Sequence, residues 1–166
     1  TREEKLSTQS VNATDKGSYR HYMLKEIYEQ PIAIAQTLQG RISNNMSLSG
    51  FLGPDAEAIL KDIKAIQIIA CGTSYHSGLV SKYWFEALAG IPCQVEVASE
   101  YRYRKAVILP HTLVITISQS GETADTLSAL KQVKKISNVK SLVICNAPES
   151  SLVRESDLVF LTHAGP

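Results

Sequence analysis

The feature that most limits how this chain can fold is a set of short apolar runs that recur along its second half. Ile66–Cys71, Cys93–Ala98, Leu113–Ile117, Ser141–Cys145 and Asp157–Leu161 each read as a strand, and several are apolar almost without interruption. Strands of that kind are covered on both faces, which is the habit of a parallel sheet flanked by helices. Helical stretches separate the runs: residues 75–89, stopped by Gly90 and Pro92, then Glu122–Lys135, then a short link around Ser151. Ser99–Lys105 reads as a short helix or turn. Alternation at this spacing predicts an α/β fold: a three-layer αβα domain whose parallel, doubly wound sheet has about five strands in the flavodoxin-like order.

Upstream the pattern differs. Residues 1–18 are polar and aperiodic and read as a linker. Residues 19–57 form a helical lead-in, and 58–166 the sheet-bearing domain. From Tyr19 to Leu38 apolar residues recur at helical spacing, with Pro31 expected to break the helix in two. A second short helix is expected from Asp55, after Gly53-Pro54, to Ile63. A length of 166 residues suits one domain with a true core.

A formal charge of +1 gives no global field to draw in nucleic acid or an anionic membrane. No apolar run reaches the length of a membrane span, and TREEKLSTQS has no apolar signal-peptide core. Cys71, Cys93 and Cys145 lie far apart inside apolar runs, as buried free thiols do in a reducing cytoplasm. No metal-ligand spacing and no cofactor motif is present, so a cytoplasmic protein without cofactor is expected.

A small anion needs only local geometry. Ligands of open parallel sheets bind beyond the carboxyl ends of the strands, where two loops stand out: Cys71-Gly72-Thr73-Ser74, and Ser118-Gln119-Ser120-Gly121-Glu122-Thr123. Both open a helix. A helix N-terminus presents unpaired N–H groups and the positive end of its macrodipole. Hydroxyls add donors, and Gly72 and Gly121 allow close approach. One alternative is bland: Ser or Thr before a helix is an ordinary cap, and glycine after a strand an ordinary turn. Four hydroxyl or amide side chains in Ser118–Thr123 exceed what one cap needs.

Glu122 would repel a phosphate, so it is expected to point away or to meet a sugar hydroxyl. Neither loop spells the dinucleotide fingerprint or a P-loop. Cys71 reads as a packed thiol, and Glu100–Arg104 as stacked Arg and Tyr rather than an RNA-binding stripe. His76 reads as a solvated helix residue; His21, His111 and His163 carry no role.

A-C-G-T-S-Y-H-S-G (70–78) and S-Q-S-G-E-T-A-D-T-L (118–127) resemble the sugar-isomerase (SIS) domain, and more narrowly the first such domain of the glutamine–fructose-6-phosphate aminotransferase (glucosamine-6-phosphate synthase) family. H-Y-M-L-K-E-I-Y-E-Q-P (21–31), Y-W-F-E-A-L-A-G-I-P-C (83–93) and E-Y-R-Y-R-K (100–105) fit the same pattern. The resemblance implies an enzyme that converts fructose 6-phosphate and glutamine to glucosamine 6-phosphate and glutamate. Gly72, Thr73, Ser74, Ser118, Gln119, Ser120 and Thr123 would contact the sugar phosphate, with Ser118, Ser120 and Thr123 on the phosphate itself. It further implies a homodimer and a C-terminally incomplete first SIS domain over 58–166. The glutaminase, the second SIS domain and the residues for proton transfer and Schiff-base chemistry would lie outside this chain. No catalytic residue is therefore assigned. The rivals are a sugar-phosphate-sensing regulator module, a stand-alone phosphosugar isomerase, which would need its own acid–base pair, and an RNA-binding domain.

Overall fold

The structure, a computed structural model, describes residues 15–42 and 48–165. Most of the expected linker, residues 1–14, lies outside the described residues. Five parallel strands form one sheet in the order β2-β1-β3-β4-β5: β1 (Ala65–Ala70), β2 (Cys93–Val97), β3 (Thr112–Ser118), β4 (Val139–Cys145) and β5 (Leu158–Leu161). This is the doubly wound arrangement that the alternating runs predict, with its strand order reversing between β1 and β3.

Side chains along each strand alternate between two covered faces. On one face Ile66, Ile68, Leu113 and Ile115 pack with Leu52 and Ala56 and with the half-buried Ile59 and Phe85. Leu52 follows a short turn at Leu48–Phe51, Ala56 and Ile59 come from α2 (Ala56–Lys61), and Phe85 opens the one wider turn, Phe85–Ala89, into which α3 (Gly72–Trp84) runs on. Gly78 makes the approach of α3 to the sheet possible, since a Cβ there would stand 2.9 Å from Ile68 Cγ2 and 3.0 Å from Val95 Cγ1. On the other face Ile69 and Val114 meet Ala98 and Tyr101 of α4 (Ala98–Tyr101) and Ala129 and Val133 of α5 (Ala124–Val133). Leu130, Val143, Cys145 and Leu152 continue this layer beneath α6 (Ser151–Glu155). Ile68, Ile69, Val114 and Val143 are almost wholly buried, and burying each contributes about 1.5–3 kcal/mol.

The lead-in corrects one expectation. α1 runs unbroken from Tyr22 to Leu38 with Pro31 inside it. Proline at that point removes the N–H that would meet the Ile27 carbonyl. No residue of α1 is buried, so water can satisfy the orphaned carbonyl and the helix continues. A clasp ties the segment to the sheet. The Arg41 guanidinium donates to Leu161 O at 2.5 Å and lies 4.7 Å from the centre of the Phe160 ring, while His163 N donates to Thr37 Oγ1 at 2.9 Å.

Candidate functional site

Strand register brings the two hydroxyl-rich loops to one end of the sheet. Ala70 pairs with Ile117, so the loops leaving β1 and β3 start side by side. Ser118 in turn pairs with Cys145, which sets the end of β4 next in line. The helices then diverge: α3 lies on one face of the sheet and α5 on the other. Their N-termini flank the crevice where the strand order reverses, the position at which open α/β sheets bind ligands.

Within the second loop the polar groups are organised by one another. Ser118 Oγ accepts from Gly121 N at 3.0 Å and is hydrogen-bonded to Thr123 Oγ1 at 3.1 Å, where either hydroxyl can donate; Ser120 Oγ accepts from Glu122 N at 3.2 Å. Thr123 is the N-cap of α5 yet makes no side-chain cap. The first bond of that helix is Leu127 N to Thr123 O at 2.9 Å, so the amides of residues 124–126 lack an intrahelical acceptor. An ordinary capping threonine would turn its oxygen onto one of them; here the hydroxyl is directed to Ser118 instead. α3 is similar. Its N-cap is Cys71, without a side-chain cap, and its first bond is Tyr75 N to Cys71 O at 3.3 Å. Gly72 and Thr73 are exposed and Ser74 half-buried in that first turn; Gln119 and Ser120 are exposed, Thr123 half-buried, and Ser118 buried. The seven predicted residues therefore lie at two adjacent strand ends.

Two glycines set the turns. Gly72 has φ +56° with open space around its Cα, and Gly121 has φ +65°. A Cβ on Gly121 would stand 2.0 Å from Ser150 Oγ and 2.8 Å from Cys145 Sγ. That contact exposes what sequence reasoning missed: the segment after β4, from Cys145 to Leu152, supports the loop from behind. Asn146 N donates to Gln119 O at 3.2 Å and Leu152 N to Gly121 O at 3.1 Å. The available signal was the position of Asn146-Ala147-Pro148 beyond a third strand end of the same sheet, followed by Ser150-Ser151 before a helix.

Both acids near the α5 N-terminus are drawn aside. Glu122 Oε1 accepts from Ser151 N at 2.6 Å; the Ser151 hydroxyl first and this backbone N–H second lower its pKa, with a smaller contribution from the Arg154 charge. Glu122 thus points away from the crevice, the first of the two orientations expected of it. Asp125 accepts from Arg102 at 2.5 Å, which raises the guanidinium further above its ordinary value. The remaining aromatics and arginines of the 100–104 stripe are occupied as well. Arg102 lies 4.7 Å from the Tyr103 ring centre and Arg104 5.7 Å from that of Tyr101, and Arg104 binds Glu96. Cys93 and Cys145 are buried and Cys71 half-buried, all as free thiols. His76 is exposed against Tyr75. Among the described residues no group of side chains could hold a metal ion, and no helix is long and apolar enough to cross a membrane.

The family described as the SIS domain matches residues 59–166, most of the sheet domain and its crevice. The chain belongs to the SIS domain family. Beyond this family match, the whole chain is 60% identical over 164 residues to glutamine–fructose-6-phosphate aminotransferase [isomerizing] of Yersinia pseudotuberculosis serotype I, covering 99% of this chain and 27% of that protein. It is 58% identical over 164 residues to the protein of the same name from Escherichia coli K12, with the same coverage. Among solved structures it resembles the C-terminal domain of glucosamine-fructose-6-phosphate aminotransferase from Francisella tularensis. The TM-score is 0.85 at 50% identity, covering 92% of this chain and 43% of that one. The chain thus spans about a quarter of the length of the curated relatives it matches.

Proposed function

We propose that this SIS domain grips the phosphate of fructose 6-phosphate within an aminotransferase-isomerase that makes glucosamine 6-phosphate and glutamate from fructose 6-phosphate and glutamine. The observation that carries the reading is the uncapped α5 N-terminus, whose threonine hydroxyl is turned to Ser118 rather than onto the helix amides. Beside it the α3 N-terminus also lacks a side-chain cap. Two helix ends with free N–H groups and aligned dipoles suit a doubly charged ester. Gly72, Thr73, Ser74, Ser118, Gln119, Ser120 and Thr123 are the proposed contacts, and the names of the relatives support the choice of sugar.

The domain's share of the chemistry is orientation. Binding energy gained on the phosphate, which does not react, holds the sugar carbon skeleton for proton transfer and amination by groups elsewhere in the enzyme. The domain boundary at residue 58, the cytoplasmic location and the homodimer are proposed on the same footing.

Titration with fructose 6-phosphate, followed by amide chemical shifts, tests this reading. Shifts confined to residues 72–74 and 118–126, absent with fructose, are the expected result. Affinity should fall as pH drops below about 6, where a phosphate monoester takes up its second proton. Shifts located only elsewhere would refute the site, and glucosamine 6-phosphate made by this chain alone would refute the division of labour.

A further inference from the structure

Glu122 is the one charged residue inside the hydroxyl-rich loop, and nothing so far gives it a task. Three acceptors of that loop point the same way. The Gln119 carbonyl takes a hydrogen bond from Asn146 N at 3.2 Å, the Gly121 carbonyl from Leu152 N at 3.1 Å, and the Glu122 carboxylate from Ser151 N at 2.6 Å. All three donors belong to the segment between β4 and the first turn of α6. The Glu122 bond is the shortest of the three.

A trans peptide holds its N–H opposite its C=O. With the Gln119 carbonyl tied to Asn146, the N–H of Ser120 in the same plane is turned away from the β4–α6 segment. With the Gly121 carbonyl tied to Leu152, the N–H of Glu122 is turned away likewise, where it meets Ser120 Oγ at 3.2 Å. The brace therefore aims both the backbone and the hydroxyl of Ser120.

We propose that Glu122 is a positioning residue: by binding the first amide of α6 it locks the 119–122 peptide planes so that Ser120 presents its donors to the phosphate. This rests on the cradle reading above. It makes a prediction opposite in sign to simple electrostatics. Deleting a carboxylate beside an anion site should tighten anion binding if charge were all that mattered. If Glu122 positions the loop, Glu122→Ala should weaken it.

The test is fructose 6-phosphate titration of the wild-type chain, Glu122→Ala, Glu122→Gln and Ser151→Pro, with amide shifts also recorded before ligand is added. Glu122→Ala is expected to lose about five-fold in affinity, the scale of one hydrogen bond. Its Ser120 and Gly121 amides should move in the absence of ligand. Glu122→Gln keeps an acceptor oxygen and should recover most of the affinity although it lacks the charge. Ser151→Pro deletes the donated N–H at a helix position where proline is tolerated; the extended Ser150 before it, φ −73° and ψ 162°, suits that residue. It leaves Glu122 and its charge intact, so it reports on the brace even if Glu122→Ala fails to fold, and it too should weaken binding. Equal or tighter binding by Glu122→Ala or Ser151→Pro overturns the proposal and leaves the cradle standing. A wild-type chain that binds no fructose 6-phosphate overturns the cradle and the proposal together.

Discussion

Gly121→Ala offers the sharpest test of the packing behind the loop. Two separate costs arise. At φ +65° an L-residue is strained, by about 1–2 kcal/mol. The new Cβ would also stand 2.0 Å from Ser150 Oγ, 2.4 Å from Ser150 Cβ and 2.8 Å from Cys145 Sγ. Those atoms are confined: Ser150 and Cys145 are both buried, and Cys145 lies beneath α6 with Leu152. Overpacking of this kind adds about 1–3 kcal/mol, for a total of about 2–5 kcal/mol, a large part of a domain's net stability. Gly72→Ala is the internal control. It shares the left-handed backbone, φ +56°, but its Cβ would meet nothing within 4 Å, so only the strain should register. Urea unfolding of both variants, of Ser150→Gly and of Gly121→Ala with Ser150→Gly measures the difference. The double variant should recover about 1 kcal/mol or more through coupling. Gly121→Ala and Gly72→Ala agreeing to within about 0.5 kcal/mol, with no coupling to Ser150, would show that the Cys145–Leu152 segment does not press on the loop.

Gly78→Ala should also destabilise, because its Cβ would strike the branched side chains of Ile68 and Val95 at 2.9 and 3.0 Å. The overpacking cost of about 1–3 kcal/mol is set against a gain of about 1 kcal/mol in helix propensity, for a net loss of up to about 2 kcal/mol; an unchanged or raised urea midpoint would refute it. In alkali, burial pushes the Cys93 thiol from 9.0 up to about 11 and the Tyr101 phenol from 10.0 up to about 12. The unfolded chain then loses these protons first, so stability present below pH 9 falls as pH rises through these values. Cys93→Ala should remove the part of the decline between pH 9 and 11, and Tyr101→Phe the part between 10 and 12; melting curves of either variant that keep the wild-type pH dependence would refute the burial argument.

The sheet was legible because its signal is local. Runs such as Leu113–Ile117 need only their own β-branched residues to declare strands covered on both sides, and β3 extends the run by one residue at each end. Pro31 misled because part of its cost depends on surroundings: where water can reach the freed carbonyl the lost hydrogen bond is offset, and exposure is not written in the local sequence. The same limit applied at the site. Hydroxyl density in Ser118–Thr123 and the glycines pointed to the loop, but capping and anion binding use the same residue types. The direction of the Thr123 hydroxyl, turned to Ser118, is what supports the proposed second use. The support from Asn146, Ser150 and Ser151 had only its position after a strand end to mark it, for a further reason. It joins segments that only the β3–β4 pairing brings together, and it acts largely through backbone atoms that every residue carries.

The divergence of α3 and α5 from neighbouring strands has a consequence for how the crevice comes into being. Neither stretch of chain owns it: one wall is encoded around residue 72, the other around residue 118, and they meet only through the β1–β3 ladder. A chain cut between them carries two halves of a clamp and no jaw. The proposed cradle is a property of an assembled topology, present in full once the central ladder has zipped and missing before.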